Sequence, residues 1–480
     1  MTMTSSPASA GIPATRILGD KLDSIPFSPY HVLVIFVLGL VGFIEGYDLA
    51  VTGSLIVLAK EPLHLTPGDI QWIVLGPTVC LCIGGFIAAA ISDHVSRKAI
   101  LQIGVISVTF LTLLIPLVRN AEQLIVLRLL IGIGGGFAVT APFPIAAELM
   151  PAQHRRTYGA IYEMMLASSF TVLPIVAFFL ANDPNGFRLI ALPGGLALFV
   201  IPVILQLLLP ESPRWYLRKG RVERAVAVVN RYIARCGNRV PPLSVASLGT
   251  NFTLARAELP PFWALFGRGQ LRWTAIGVWT SACAGTSFFL ISVLLPKALI
   301  DQGAAVATSF GISTLVFMAT IPGKCFNAYV MEIIGRRWTI CLALLGAIPG
   351  LVLMALAHKA GDYASLVMSV GALWTGFTTL SSFPAVRMYL SEQFPTALRG
   401  RGHTFGESFA RLFAGIAAPF LMLPHTGSPT IFFGAIIVIV LAGAFPAILF
   451  GKETVGQIEL VAAETGEVEA GAGIGAAEPA

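Results

Sequence analysis

Glu45 and Asp48 stand inside one apolar run, residues 31–58, three positions apart and so on one face of a helix. A charge at mid-membrane costs about 2.5–3.5 kcal/mol on insertion scales, and such residues mark an ion or substrate path. Arg387 and Arg411 lie in later apolar runs. A buried guanidinium is suited to gripping a carboxylate or phosphate through two parallel hydrogen bonds. Glu407 is one turn from Arg411 and could occupy it instead. Lys324, eight positions before Glu332, reads as a cation that snorkels to the surface. Gly132, Gly134, Gly135 and Gly136 suit close helix packing. They do not form a nucleotide loop, because no strand precedes them and no Lys-Ser/Thr follows. No nucleophile–base pair or metal-ligand spacing occurs, so an enzyme reading fails and neither cofactor nor metal is called for.

These charges need elements that hold them in hydrocarbon. The 480 residues are 56% hydrophobic and only 12% charged, with mean hydropathy +0.81. Soluble domains carry about 25% charged residues. Twelve runs of the ~20 residues that cross a bilayer recur along the chain. Six fall at 31–58, 70–91, 99–118, 124–147, 158–181 and 187–209; six more at 273–299, 306–330, 338–357, 364–390, 405–423 and 430–450. The expectation is an all-α integral membrane protein: a tail (1–29), a six-helix bundle (30–209), a central helical segment (210–272), a second bundle (273–452) and a disordered tail (453–480). The polar start, 1–25, does not read as a signal peptide. The six cysteines show no metal spacing, and most sit in apolar runs as small hydrophobes.

Loop charge sets the orientation. One side collects 22 of the 31 lysines and arginines, including Arg97, Lys98, Arg155, Arg156, Arg336, Arg337, Arg399 and all of 210–272. The other side holds Lys60, Arg119, Arg188, Lys297 and Lys359. The basic side is therefore expected in the cytoplasm with both termini, in a cell or inner membrane. The net charge of +6 is then a topology signal and not a nucleic-acid surface. In the central segment, Val222, Ala225, Val226 and Val229 make an apolar face opposite arginines, as a surface helix would.

The chain also repeats itself. Glu148, Pro151, Arg155 and Glu163 reappear 244 positions later as Glu392, Pro395, Arg399 and Glu407. Asp93 precedes Arg97 and Lys98 by the spacing at which Glu332 precedes Arg336 and Arg337, 239 positions on. Pro210-Glu211-Ser-Pro-Arg214 is echoed by Lys452-Glu453-Thr454. A duplicated loop of carboxylates and cations can close one face by ion pairs and release them as two halves rock. Simple positive-inside charge is the competing explanation; the duplication favours a gate.

With these motifs and Arg128-x-x-x-Gly132, the sequence resembles the major facilitator superfamily of transporters, near its sugar-porter and organic-ion branches, over roughly 31–460. Ser96 departs from the loop glycine of that family, as Ala89 and Ala328 do from its leading glycine. The resemblance implies two six-helix pseudo-repeats, a monomer, and alternating access about a midplane site. It matches Asp48 to the family's proton-coupling aspartate and Arg128 to its partner. Burial opposes and Arg128 favours the ionised carboxylate, so proton occupancy can follow conformation. A static salt bridge is the competing use; Glu45 is a secondary candidate.

The same resemblance places Glu163 where sugar porters have a glutamine and Arg387 where they have a tryptophan. The run from Trp279 to Ser287 stands where their glutamine-rich signature belongs. A neutral polyol needs amides and an aromatic platform, so these departures point to an anion. Arg411 falls where the organic-anion branch has an arginine. Substrate contact, structural pairing and snorkelling compete for Arg387. Pro384 should break the helix just ahead of it. Tyr47, Phe288 and Trp374 could wall a cavity, though such aromatics also serve as core or lipid-facing residues. The expectation is proton-coupled uptake of a small organic anion, an aromatic or aliphatic carboxylate, with a sugar or polyol symporter as the alternative. A multidrug antiporter lacks its Gly-Pro run in the fifth span, and a nutrient sensor would need a long signalling tail.

Overall fold

A computed structural model describes residues 14–91, 94–151, 155–245, 262–267, 269–394, 398–422 and 426–451. Every regular element in it is helical. In order they are α1 (Ala14–Asp23), α2 (Pro29–Ala59), α3 (Pro67–Ile91), α4 (Arg97–Leu114), α5 (Ala121–Thr140), α6 (Pro142–Leu149) and α7 (Arg155–Phe179). Three short pieces follow, α8 (Gly186–Leu189), α9 (Leu192–Leu196) and α10 (Ile201–Leu208), then α11 (Pro213–Arg218) and α12 (Val222–Arg235). The remainder are α13 (Leu271–Phe289), α14 (Leu295–Asp301), α15 (Val306–Ile334), α16 (Arg336–Leu356), α17 (Ala364–Thr378), α18 (Phe383–Glu392), α19 (Arg399–Met422) and α20 (Pro429–Phe450).

Eleven helical stretches among the described residues are long and apolar enough to cross a membrane, so this is a multi-pass membrane protein. The sequence leads to twelve. The remaining one is α19, which has the length, at 24 residues, but carries Glu407 and Arg411. Those two charges lower its hydropathy; they are also part of the candidate site.

Local signals set the ends. Asn120 caps α5 by accepting from the Gln123 amide at 3.0 Å, Ser96 caps α4 through Ala99 at 3.2 Å, and Ser212 caps α11 ahead of Pro213. Internal prolines occur at Pro77, Pro174, Pro322, Pro349 and Pro446. Pro384 acts as expected: α17 stops at Thr378, a 3₁₀ turn covers Leu380–Ser382, and α18 restarts with the proline in its first turn. Between α13 and α14 the chain opens into a π-helical turn, Leu290–Leu294.

Contacts divide the described residues into two compact units. One draws on Met1–Asp48, Val79–Ser169 and Ala191–Glu258, the other on Leu49–Thr78, Phe170–Ile190 and Leu259–Ala480. The divisions fall inside α2, α3 and α7. In the first unit a side chain at Gly136 would strike the Leu81 carbonyl and Gly85, so α5 and α3 touch backbone to backbone there. Gly104 allows α4 the same approach to Ala138.

One expectation about the polar segments changes. Within the region read simply as a tail, α1 forms a helix that buries Leu18 and Leu22. Leu18 and Leu22, four apart and so on one helix face, are too few to suggest a span but suffice for a short packed helix. The central segment has the predicted amphipathic helix, α12, burying Ala225, Val226 and Val229. Tyr232 in α12 donates to the Leu149 carbonyl at 2.9 Å, and Arg235 to the Tyr30 hydroxyl at 2.7 Å. The 453–480 tail lies outside the described residues.

Candidate functional site

In the first unit, α2 and α5 bring Asp48 and Arg128 together. Arg128 Nη1 donates to Asp48 Oδ1 at 2.7 Å, with the guanidinium 1% exposed and the carboxylate 18%. A second nitrogen reaches the Asp48 backbone carbonyl at 3.4 Å. The neighbouring Glu45 is buried and accepts from the Tyr162 hydroxyl of α7 at 2.8 Å. Tyr162 in turn packs against Phe143 and Tyr158. Glu163, one residue on, is buried as well. Tyr47 is core, with its ring against Phe43 and over Gly194. The Glu45–Tyr162 bond spans 117 positions, and spacing alone gave no signal for it.

The second unit brings α18 and α19 together around one carboxylate. Arg387 Nε lies 3.3 Å from Glu407 Oε1, and Arg411 Nε lies 3.9 Å from Glu407 Oε2. His403, one turn before Glu407, also faces it. Of the competing uses for Arg387, pairing is therefore realised, with a residue first considered only for Arg411. Phe288 meets Phe383, one turn ahead of Arg387, edge to face with ring centroids 4.8 Å apart. Phe170 also meets Phe288 edge to face, at 5.1 Å. Trp374 sits elsewhere, half-exposed, with Nε1 donating to the Gly346 carbonyl at 2.6 Å. Lys324 does not snorkel: it is buried at 7% exposure in α15, three residues from Asn327, which bonds Ser381. Its position mid-helix leaves the stem too short to reach the surface.

The duplicated loop charges form duplicated pairs. Arg97 pairs with Glu148 in the first unit, and Arg336 with Glu392 in the second, at 3.4 Å. Ser212, of the Pro210–Arg214 motif, also donates to Glu148. The second cation of each loop does something different. Lys98 donates to the carbonyls of Gln206 and Leu209 at 2.9 and 2.7 Å, closing the C-terminal end of α10. Arg337 donates to the carbonyls of Ala447 and Ile448 near the end of α20. A cation at a helix C-terminus meets both unpaired carbonyls and the negative end of the dipole. Arg214 reaches α1 beside Gly19, and Glu211 acts electrostatically on Lys98. Asp93 and Glu453 lie outside the described residues, as do the side chains of Arg155, Glu332 and Arg399.

Comparisons with known proteins agree with this architecture. The family model described as Major Facilitator Superfamily matches residues 38–402. The niacin transporter NiaP of Acinetobacter baylyi is 24% identical over 92% of this chain and 98% of its own. The gallate transporter of Pseudomonas putida is 25% identical, over 82% and 87%. Among solved structures, the xylose transporter XylE from E. coli, in a partially occluded inward-open conformation, superposes with a TM-score of 0.71 at 17% identity, covering 89% of this chain and 99% of that one.

Proposed function

The chain belongs to the Major Facilitator Superfamily and is a secondary transporter of small molecules, and on that premise we propose that it takes up a small organic anion by proton symport. The observation that carries this reading is the convergence of Arg387 and Arg411 on the single carboxylate of Glu407. Two guanidinium groups that hold a side-chain carboxylate have the chemistry to hold a substrate carboxylate. Niacin and gallate, named for two relatives, each carry one carboxyl group on an aromatic ring.

Asp48 and Arg128 are the proton-coupling pair in this reading. The pair breaks when Asp48 takes a proton and re-forms on release. An inside-negative potential opposes an incoming anion by about 2.3 kcal/mol per charge per 100 mV, and one co-transported proton per carboxylate removes that penalty. Two six-helix halves, 30–209 and 273–452, alternate access around the site, with the Arg97–Glu148 and Arg336–Glu392 pairs on the cytoplasmic face. Both termini and the central segment, 210–272, are cytoplasmic, and the protein works as a monomer in the cell membrane.

The test is uptake of labelled carboxylates and sugars into vesicles under an imposed inward proton gradient, with wild type beside Arg387→Ala. Carboxylate uptake that collapses both with a protonophore and with the substitution supports the reading. Sugar uptake that survives the substitution overturns it in favour of a sugar or polyol symporter.

A further inference from the structure

A groove of about 470 Å³ lies between α13 and α19 in the second unit, within the range of about 300–1,000 Å³ usual for ligand sites. Its walls are Leu271, Ala275 and Val278 of α13, Phe405 and Phe409 of α19, and Pro446 of α20. The two polar side chains on its lining are already engaged. Thr274 Oγ1 donates to the Leu265 carbonyl at 2.8 Å, and Trp279 Nε1 donates to the Ala442 carbonyl at 3.0 Å. An occupant therefore meets hydrocarbon from every side chain. Glu407 and Arg411 lie on the side of α19 opposite Phe405 and Phe409, so this groove is separate from the candidate site.

The outer end of the groove carries a cation. Arg272, next to Leu271 at the start of α13, is exposed. Its guanidinium lies 5.2 Å from the Trp273 ring and 5.8 Å from that of Phe450, one turn beyond Pro446. A 3₁₀ turn just ahead of α13, Phe262–Phe266, is anchored by buried Leu265 and leaves Phe262, Trp263 and Phe266 exposed. Aromatic residues gather in this way where a span leaves the hydrocarbon. Trp279, two turns deeper than Leu271, meets Phe413 edge to face. The groove thus runs from headgroup depth, where Arg272 stands, into the depth of the acyl chains.

We propose that this groove binds one acyl chain of an anionic phospholipid, with the headgroup phosphate at Arg272. The walls call for a hydrocarbon chain and the cation calls for an anion, and an anionic lipid of the surrounding bilayer joins the two. A guanidinium offers a phosphate two parallel donors. A zwitterionic lipid fits the same walls but brings its own cation to its phosphate, so it gains less from Arg272.

Phospholipids brominated in the chain quench tryptophan fluorescence on contact, so Trp279 reports occupancy of the groove. Its share of the signal is the difference between wild type and Trp279→Phe. The full chain is reconstituted into vesicles of phosphatidylglycerol and phosphatidylcholine, with the bromine on one lipid or the other. Wild type should hold phosphatidylglycerol about fivefold more tightly, the factor one arginine near an anionic headgroup contributes. Arg272→Gln should abolish that preference, and Arg272→Lys should keep most of it. Ala275→Phe, which fills the groove, should weaken quenching by both lipids. Equal quenching by the two lipids in wild type, or a preference unchanged in Arg272→Gln, overturns the inference. So does a Trp279 that neither lipid quenches, the outcome if a second copy of the chain covers the groove. No transported substrate enters the measurement, so its outcome is independent of the function proposed above.

Discussion

Arg128, 1% exposed, donates to Asp48 across 2.7 Å, joining two helices that carry their charges 80 positions apart in sequence. A guanidinium so buried is tolerable only while a carboxylate faces it, since breaking a buried pair by removing one partner costs about 3–5 kcal/mol. Arg128→Ala and Asp48→Ala should each lower the thermal midpoint in detergent by several degrees. Asp48→Asn, which keeps shape and some hydrogen bonding, should lose proton-driven accumulation yet retain exchange of internal for external substrate. Accumulation at the wild-type level in Asp48→Asn would assign proton coupling elsewhere, with buried Glu45 the next candidate.

Arg387 and Arg411 should not tolerate lysine. An ammonium keeps the charge but not the planar fork that meets a carboxylate through two donors. Losing a charge-assisted hydrogen bond worth about 1.5–3 kcal/mol should raise KM for the transported carboxylate by about tenfold to a hundredfold in Arg387→Lys. Uptake kinetics on matched amounts of membrane protein would measure this, and an unchanged KM would leave Arg387 a purely structural partner of Glu407.

The two loop pairs should respond to charge reversal in the same way. Glu148 is 4% exposed while Arg97 is 30% exposed, so the burden of an unpaired charge falls on the glutamate. Arg97→Glu alone places two carboxylates together and should reduce both uptake and thermal stability. The double exchange Arg97→Glu with Glu148→Arg should recover part of each, and a double-mutant cycle measures the coupling. Zero coupling would remove the pair as a gate.

Gly136 offers a purely steric test. A methyl group there meets the Leu81 carbonyl on the neighbouring helix, a rigid backbone atom, so α3 and α5 must separate. Gly136→Val should cost about 1–3 kcal/mol or more, as overpacking does, visible as loss of folded protein by size-exclusion chromatography. Gly159, with nothing near its added methyl, should accept alanine freely.

Cys236 on the docked helix α12 is buried, and burial pushes its thiol up from the ordinary cysteine value. A thiol so shifted holds little thiolate at neutral pH and reacts slowly. Labelling of Cys236 by a water-soluble maleimide at pH 7.5 should be slow in wild type. It should quicken in Tyr232→Ala, which loses the bond to Leu149 that ties α12 down.

Periodicity and composition were enough to read the helices, because an apolar run of span length has few other ways to satisfy its backbone in a bilayer. They also located the amphipathic α12, the break at Pro384, and the duplicated charges that became Arg97–Glu148 and Arg336–Glu392. These are local or internally repeated signals. Which cation met which anion was a different matter. Arg387 sits 20 positions from Glu407, and Tyr162 sits 117 positions from Glu45; no spacing rule connects either pair. Lys98 and Arg337 looked like gate charges and proved to close helix ends, because the carbonyls that needed them come from α10 and α20, far along the chain. The residue types that could do chemistry are a property of the sequence. Their partners are decided by helix packing, which places side chains from distant segments within a few ångströms and lets burial penalise every charge left over.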